Sequence, residues 1–154
     1  MKLKYLLQAS AIAAIYAVLT ILLAPISYGP MQVRISEALT ILPCFTPAAV
    51  PGLFVGCLVS NLLGPYGIID VICGSAATLI AALLSYFLRK HKWLVPLPQV
   101  IVNGIVIGGM LHFAYGVPGL FVCMLWVAAG QALSCYLIGM PLIKIFEKHK
   151  GIFN

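Results

Sequence analysis

Charge is missing from this chain over distances that no soluble fold tolerates. No Asp, Glu, Lys or Arg occurs in residues 5–33, 38–69, 71–88 or 93–143. Apolar residues fill those intervals: 63% of the chain is hydrophobic, 8% is charged and the mean hydropathy is +1.12, against roughly 25% charge in an average soluble domain. A membrane-spanning helix takes about 20 predominantly apolar residues. The 154 residues therefore have room for about six spans and short connections. The expected fold is an all-α, six-transmembrane-helix bundle, a single domain over residues 1–154.

Glycine and proline clusters punctuate the spans. The expected helices cover about residues 3–24, 36–45, 51–63, 68–88, 96–115 and 118–143. Pro25, Gly29 and Pro30 end the first, Gly64-Pro65-Tyr66-Gly67 closes the third, and Gly116-Val117-Pro118-Gly119 closes the fifth. The second is short and carries Pro43, so it reads as a kinked or incomplete crossing. The opening resembles a secretory signal, but its apolar run over residues 5–24 exceeds the roughly 7 to 15 residues of a signal core. It reads as a retained first helix.

The net charge of +6 would suggest nucleic acid in a soluble protein, but the basic residues form no stripe that could track phosphates. Lys2 and Lys4 precede the first span, Arg89, Lys90 and Lys92 break the chain in the middle, and Lys144, Lys148 and Lys150 follow the last. Cytoplasmic loops carry such clusters. Four crossings before residue 89 and two after it place all three clusters, and both termini, on the cytoplasmic side of a cell membrane. Five cysteines (Cys44, Cys57, Cys73, Cys123 and Cys135) stand singly in apolar runs and read as small buried hydrophobes. The hexapeptide at residues 50–55 recurs identically at 117–122. An inverted repeat would produce that echo, and so would ordinary helix-start chemistry.

Polar side chains inside a membrane are costly and mark function by default. Arg34, Glu37 and Asp70 are the charged residues outside the basic clusters, joined by Asn61, Asn103, His112 and Gln131. The expected topology brings these groups from five segments to the outer half of the bundle. Each also has a plainer reading. Arg34 and Glu37 could form a local helical pair, Asp70 could complement a helix dipole, and Asn103 and Gln131 could join helices. His112 could be an interfacial residue. Tyr28, Tyr66, Tyr115 and Trp126 could form an aromatic belt. On the first helix Ala9, Ala13 and Ala17 recur every four residues, with Ser10 and Ala14 beside them. Such a stripe admits another helix at close range, either inside the bundle or from a partner. No phosphate-binding loop, zinc-protease motif or nucleophile elbow occurs, so no catalytic residue, metal or cofactor is expected in this chain.

The stretch Gln32-Val33-Arg34-Ile35-Ser36-Glu37-Ala38-Leu39-Thr40-Ile41-Leu42-Pro43 resembles the signature of the QueT family. That family comprises the queuosine-precursor substrate-binding (S) components of energy-coupling factor (ECF) transporters. The likeness continues through Thr46-Pro47-Ala48-Ala49-Val50-Pro51-Gly52-Leu53-Phe54-Val55-Gly56, Asn61-Leu62-Leu63-Gly64, Gly67-Ile68-Ile69-Asp70 and Gly74-Ser75-Ala76-Ala77-Thr78-Leu79. It covers roughly residues 8–110, with a looser tail. The resemblance implies a six-helix subunit that captures preQ1, preQ0 or queuine from outside and docks on a transmembrane coupling (T) protein with two ATPase subunits, which use the ATP. It further implies that Ala9, Ala13 and Ala17 face the coupling protein and that residues 25–34 act as a lid.

A guanine edge presents two N–H donors and an acceptor, which suits Glu37 or Asp70 together with Asn61, Asn103 or Gln131. Tyr28, Tyr66 or Trp126 could cover the ring face. Arg34, Glu37 and Asp70 sum to one negative charge, which a ligand ammonium would neutralise. In the preferred arrangement Glu37, steadied by Arg34, takes the guanine edge and Asp70 takes the ammonium. The rivals are an ion-gradient-driven carrier, an S component for a different vitamin-like solute, and a membrane assembly protein whose polar groups only join helices.

Overall fold

The computed structural model describes residues 2–29 and 32–148; Pro30 and Lys150 lie outside them. Helix α1 (Lys2–Leu22) is followed, after Leu23, by the single turn α2 (Ala24–Ser27). Pro25 therefore starts a new turn, where its missing N–H costs nothing. A 3-10 helix, Ile35–Cys44, comes next, then α3 (Ala49–Leu62) and α4 (Gly67–Phe87). Two 3-10 turns, Leu88–Lys90 and Lys92–Leu94, carry the basic break, and α5 (Leu97–Phe113) follows. The last run is not one regular helix. It divides into α6 (Leu120–Ala132), a π-helical stretch (Leu133–Ile138) and α7 (Gly139–Lys148).

Among the described residues four helical stretches are long and apolar enough to cross a membrane: Lys2–Leu22, Gly67–Lys90, Lys92–Phe113 and Leu120–Lys148. Ile35–Cys44 and Ala49–Leu62 are apolar but shorter. The expected short second segment is thus a buried 3-10 rod. At roughly 2.0 Å per residue it reaches further than ten α-helical residues would.

Glycine sets how closely the helices approach. A methyl group on Gly52 would stand 2.8 Å from the Ala9 carbonyl, and one on Gly56 would stand 2.8 Å from Tyr16 Cβ. Helices α1 and α3 therefore run parallel, with their backbones nearly touching. On the other side Gly108 brings α5 against α6, where an added Cβ would lie 2.5 Å from Met124 Cα.

Opposite ends of the bundle are tied by different chemistry. At one end Tyr5 donates to the Pro47 carbonyl, the Cys44 thiol approaches the Arg89 carbonyl at 4.0 Å, and Lys92 pairs with Glu147. At the other, Tyr28 donates to the Ser60 carbonyl at 2.6 Å, Tyr66 to the Tyr28 carbonyl at 2.8 Å and Tyr115 to the Tyr66 carbonyl. Lys2, Lys4 and the cluster Arg89, Lys90 and Lys92 consequently share an end, as the charge pattern requires. His112 ties α5 to the following loop through the Val117 carbonyl, 2.8 Å away. The repeated hexapeptides adopt different structures: Pro51 and Gly52 lie within α3, whereas Pro118 and Gly119 precede α6, with Gly119 at φ +83°. The echo is one of composition.

The surface is inverted relative to that of a soluble protein. Ile68, Phe121 and Leu125 are 65%, 77% and 70% exposed, while Glu37, Asp70 and Gln99 are 0% exposed. Only an apolar surrounding makes that arrangement stable.

Candidate functional site

The 3-10 helix explains how a polar row comes to lie in the centre of an apolar bundle. Side chains three apart eclipse in this geometry, so Glu37 and Thr40 stack on one face. The Thr40 hydroxyl donates to the Glu37 carbonyl at 2.6 Å. Facing that row from the π-helical stretch, the Cys135 thiol donates to the same carbonyl at 3.4 Å.

Arg34 does not pair with Glu37, and the backbone shows why. It precedes the helix in extended conformation, φ −93° and ψ 105°, so its side chain leaves the helical row and crosses to α3 and α4. There Nη1 donates to Asn61 Oδ1 at 3.0 Å and Nη2 pairs with Asp70 Oδ2 at 3.3 Å. The guanidinium also lies 5.3 Å from the Tyr28 ring centroid, close enough for a cation–π contact. Asn61 Nδ2 completes the group by donating to the Asp70 carbonyl at 3.1 Å. Gly74 makes room for it, since a Cβ there would fall 2.6 Å from Asn61 Nδ2. Gln32 joins through its Oε1, which accepts from Arg34 at 3.4 Å. Its backbone sits at φ 46°, a left-handed conformation that costs a non-glycine residue about 1 kcal/mol or more.

Glu37 belongs to a second, equally buried group. Oε1 accepts from the Tyr16 hydroxyl at 2.6 Å, and Oε2 accepts from Gln99 Nε2 at 2.6 Å. One turn beyond Gln99 on α5 is Asn103, and one turn before Cys135 is Gln131; both are buried. Between the two groups lies Cys57, whose sulfur receives Asn61 Nδ2 at 3.4 Å and Thr78 Oγ1 at 3.3 Å.

Several atoms here are buried without a hydrogen-bond partner: Gln32 Nε2, Arg34 Nε, Asp70 Oδ1, Ser75 Oγ, Gln99 Oε1, Asn103 Oδ1 and Gln131 Oε1. Buried polar atoms are normally satisfied, and such a concentration calls for a role. The set offers donors beside Arg34 and acceptors beside Gln99, as recognition of a flat heterocycle with both kinds of group requires. Among the described residues no cluster of His, Cys, Asp and Glu is placed to hold a metal.

The eight residues expected at the site fall in different places. Arg34, Asn61, Asp70 and Tyr28 form one group, Glu37 anchors the other, and Asn103 and Gln131 lie buried one turn along their helices. Trp126 stands apart, 49% exposed, in an apolar cavity of about 350 Å³ that it shares with Tyr66, Leu111 and Tyr115. The structure adds Tyr16, Gln32, Cys57 and Gln99. Gln99 carried a readable signal, an amide inside an apolar run.

The alanine stripe is largely turned inward. Ala13 and Ala17 are buried, Ala13 against Gly56, and Ala9 is half-buried. Beside them Ser10 and Ala14 are exposed. Ala9, Ser10 and Ala13 share a shallow groove of about 220 Å³ with Tyr5, Leu6, Pro51 and Val55.

A family model described as QueT transporter matches residues 6–148. The Queuosine precursor transporter QueT of Lactococcus lactis subsp. cremoris (strain MG1363) is 39% identical over 71 residues, a stretch covering 45% of this chain and 41% of that protein. The matched stretch is thus less than half of either protein. No solved structure matches.

Proposed function

The chain belongs to the QueT transporter family, and from that premise we propose that it is the substrate-binding membrane component of an importer for a queuosine precursor, preQ1 before preQ0 or queuine. The observation carrying this reading is the buried centre itself. Arg34, Glu37, Asn61, Asp70 and Gln99 arrive from four separate elements and converge, fully buried, inside a shell of lipid-type side chains. Helix joining works through interhelical hydrogen bonds in which both partners are satisfied. It does not account for seven partnerless buried atoms in the two groups and the helix turns beside them.

In this reading the chain crosses the cell membrane six times, the 3-10 helix and α3 being the short crossings, with both termini and the basic end in the cytoplasm. The ligand enters at the end where Tyr28, Tyr66 and Tyr115 stitch three connections together, and the described residues 25–29 and 32–34 belong to the lid. Energy comes from an ECF-type coupling protein and two ATPase subunits, as the family resemblance implies, and the lack of a nucleotide-binding loop in this sequence fits that scheme. The groove over Ala9, Ser10 and Ala13 is where the coupling protein docks. Ser10→Leu should fill that groove without touching the centre. The expected result is loss of uptake in cells with preQ1 affinity of the isolated chain unchanged; parallel loss of both would place the groove outside the docking surface.

Mass spectrometry of small molecules extracted from the purified chain tests the functional reading. A 7-deazaguanine of preQ1, preQ0 or queuine mass is expected in extracts of the chain and not of an unrelated membrane protein prepared alongside. A different solute, enriched reproducibly, would replace the reading. Uptake by the chain alone in liposomes without ATP would instead favour a gradient-driven carrier.

A further inference from the structure

We infer that Glu37, and not Asp70, is the counter-ion for a positively charged group on the ligand, so that this carboxylate selects a protonated amine over a neutral substituent. The inference rests on the reading that the buried centre is the ligand site. It reverses the roles the sequence suggested for the two carboxylates.

Charge compensation separates them. Asp70 is paired with Arg34 at 3.3 Å. Glu37, with 0% exposure, makes no ion pair among the described residues. Its two partners, the Tyr16 hydroxyl and the Gln99 amide, are neutral donors. They satisfy one lone pair on each oxygen and leave the charge in place, and a carboxylate can accept about four hydrogen bonds. A buried charge is retained where something pairs with it.

The neighbourhood of Glu37 also specifies the kind of partner. Gln99 must turn Nε2 toward the carboxylate, because the opposite amide orientation would set oxygen against oxygen. Its Oε1 is thereby fixed as an acceptor, and it is buried with no partner. Carboxylate oxygens beside an oriented carbonyl make an acceptor-only corner. A primary ammonium, with three donors and no acceptor, satisfies both its hydrogen bonds and its charge. The N–H edge of a neutral ring would satisfy the hydrogen bonds alone.

Calorimetric titration of the purified full chain with preQ1, which carries an aminomethyl group, and preQ0, which carries a neutral nitrile, distinguishes these cases. Wild-type chain should prefer preQ1, and Glu37→Gln should reduce that preference by about 30-fold or more. Gln99→Met removes the oriented carbonyl and leaves the carboxylate, so it should lower the preference in the same direction by a smaller factor. If Glu37→Gln weakens both ligands by the same factor, or leaves the preference at its wild-type value, the inference is overturned. Should that variant fail to elute as a single species, the Gln99→Met ratio decides, and an unchanged ratio overturns it. Wild-type chain that binds neither compound overturns the reading of the site and this inference with it.

Discussion

Replacing Arg34 with methionine should cost about 3 to 5 kcal/mol of stability. Methionine fills most of the volume but strands the Asp70 carboxylate, which has 0% exposure and no other ion pair among the described residues. The Asn61 carbonyl and Gln32 Oε1 lose donors at the same time. If the uncompensated charge dominates, then Arg34→Met combined with Asp70→Asn should recover more than half of the loss, because an ion pair replaced as a pair leaves no charge behind. Denaturant or thermal unfolding in detergent micelles measures all three variants. A double variant as unstable as the sum of the two single ones would show that the residues act independently and that the pair does not hold the centre together.

Gly108→Val should be nearly as damaging, and for a reason unrelated to charge. The first atom added would overlap the Met124 backbone, at 2.5 Å from Cα and 2.7 Å from N, so no rotamer change can relieve it. Helices α5 and α6 would have to separate along their length, unpacking Ile107, Leu111, Cys123 and Val127, which form the core on that side. Overpacking of a well-filled interior costs about 1 to 3 kcal/mol, and more where backbone must move; the upper end is expected here. Gly109→Val is the internal control, because a Cβ there has nothing nearer than 4.0 Å. Thermal unfolding should show Gly109→Val near wild type and Gly108→Val far below it. Equal shifts would mean that α5 and α6 are not in contact at Gly108.

Some of this was open to sequence reasoning because the membrane simplifies the rules. In an apolar solvent each Arg, Asp, Glu or Asn inside a span is conspicuous, and Arg34, Glu37, Asn61 and Asp70 were identifiable on that ground. The basic clusters gave the common end through positive charge alone, and the family model extends the recognised likeness from residues 8–110 to residues 6–148. Pairing was not legible. The spacing of three between Arg34 and Glu37 suits an α-helical ion pair, yet Arg34 sits just outside a 3-10 helix in extended backbone and reaches Asp70, 36 residues away. Sequence spacing cannot distinguish these cases, because the choice depends on where the helix begins.

Other misses share that origin. Nothing in the sequence marks Tyr16, which joins the centre because Gly56 lets α3 close against it and the hydroxyl reaches Glu37. The break from α6 through the π-helical stretch into α7 leaves no proline or charge as a marker at its start. There the widened turn places the Cys135 thiol on the Glu37 carbonyl. Ala13 and Ala17 fit a docking stripe by spacing, yet both are buried, Ala13 against Gly56 of α3.

If the buried centre holds one molecule of a queuosine precursor, calorimetric titration of preQ1 into the purified chain, without nucleotide and without other proteins, should show saturable binding of one preQ1 per chain. A chain that elutes as a single species, unfolds cooperatively and shows no saturable binding of preQ1, preQ0 or queuine would mean that the centre is not the site of such a ligand.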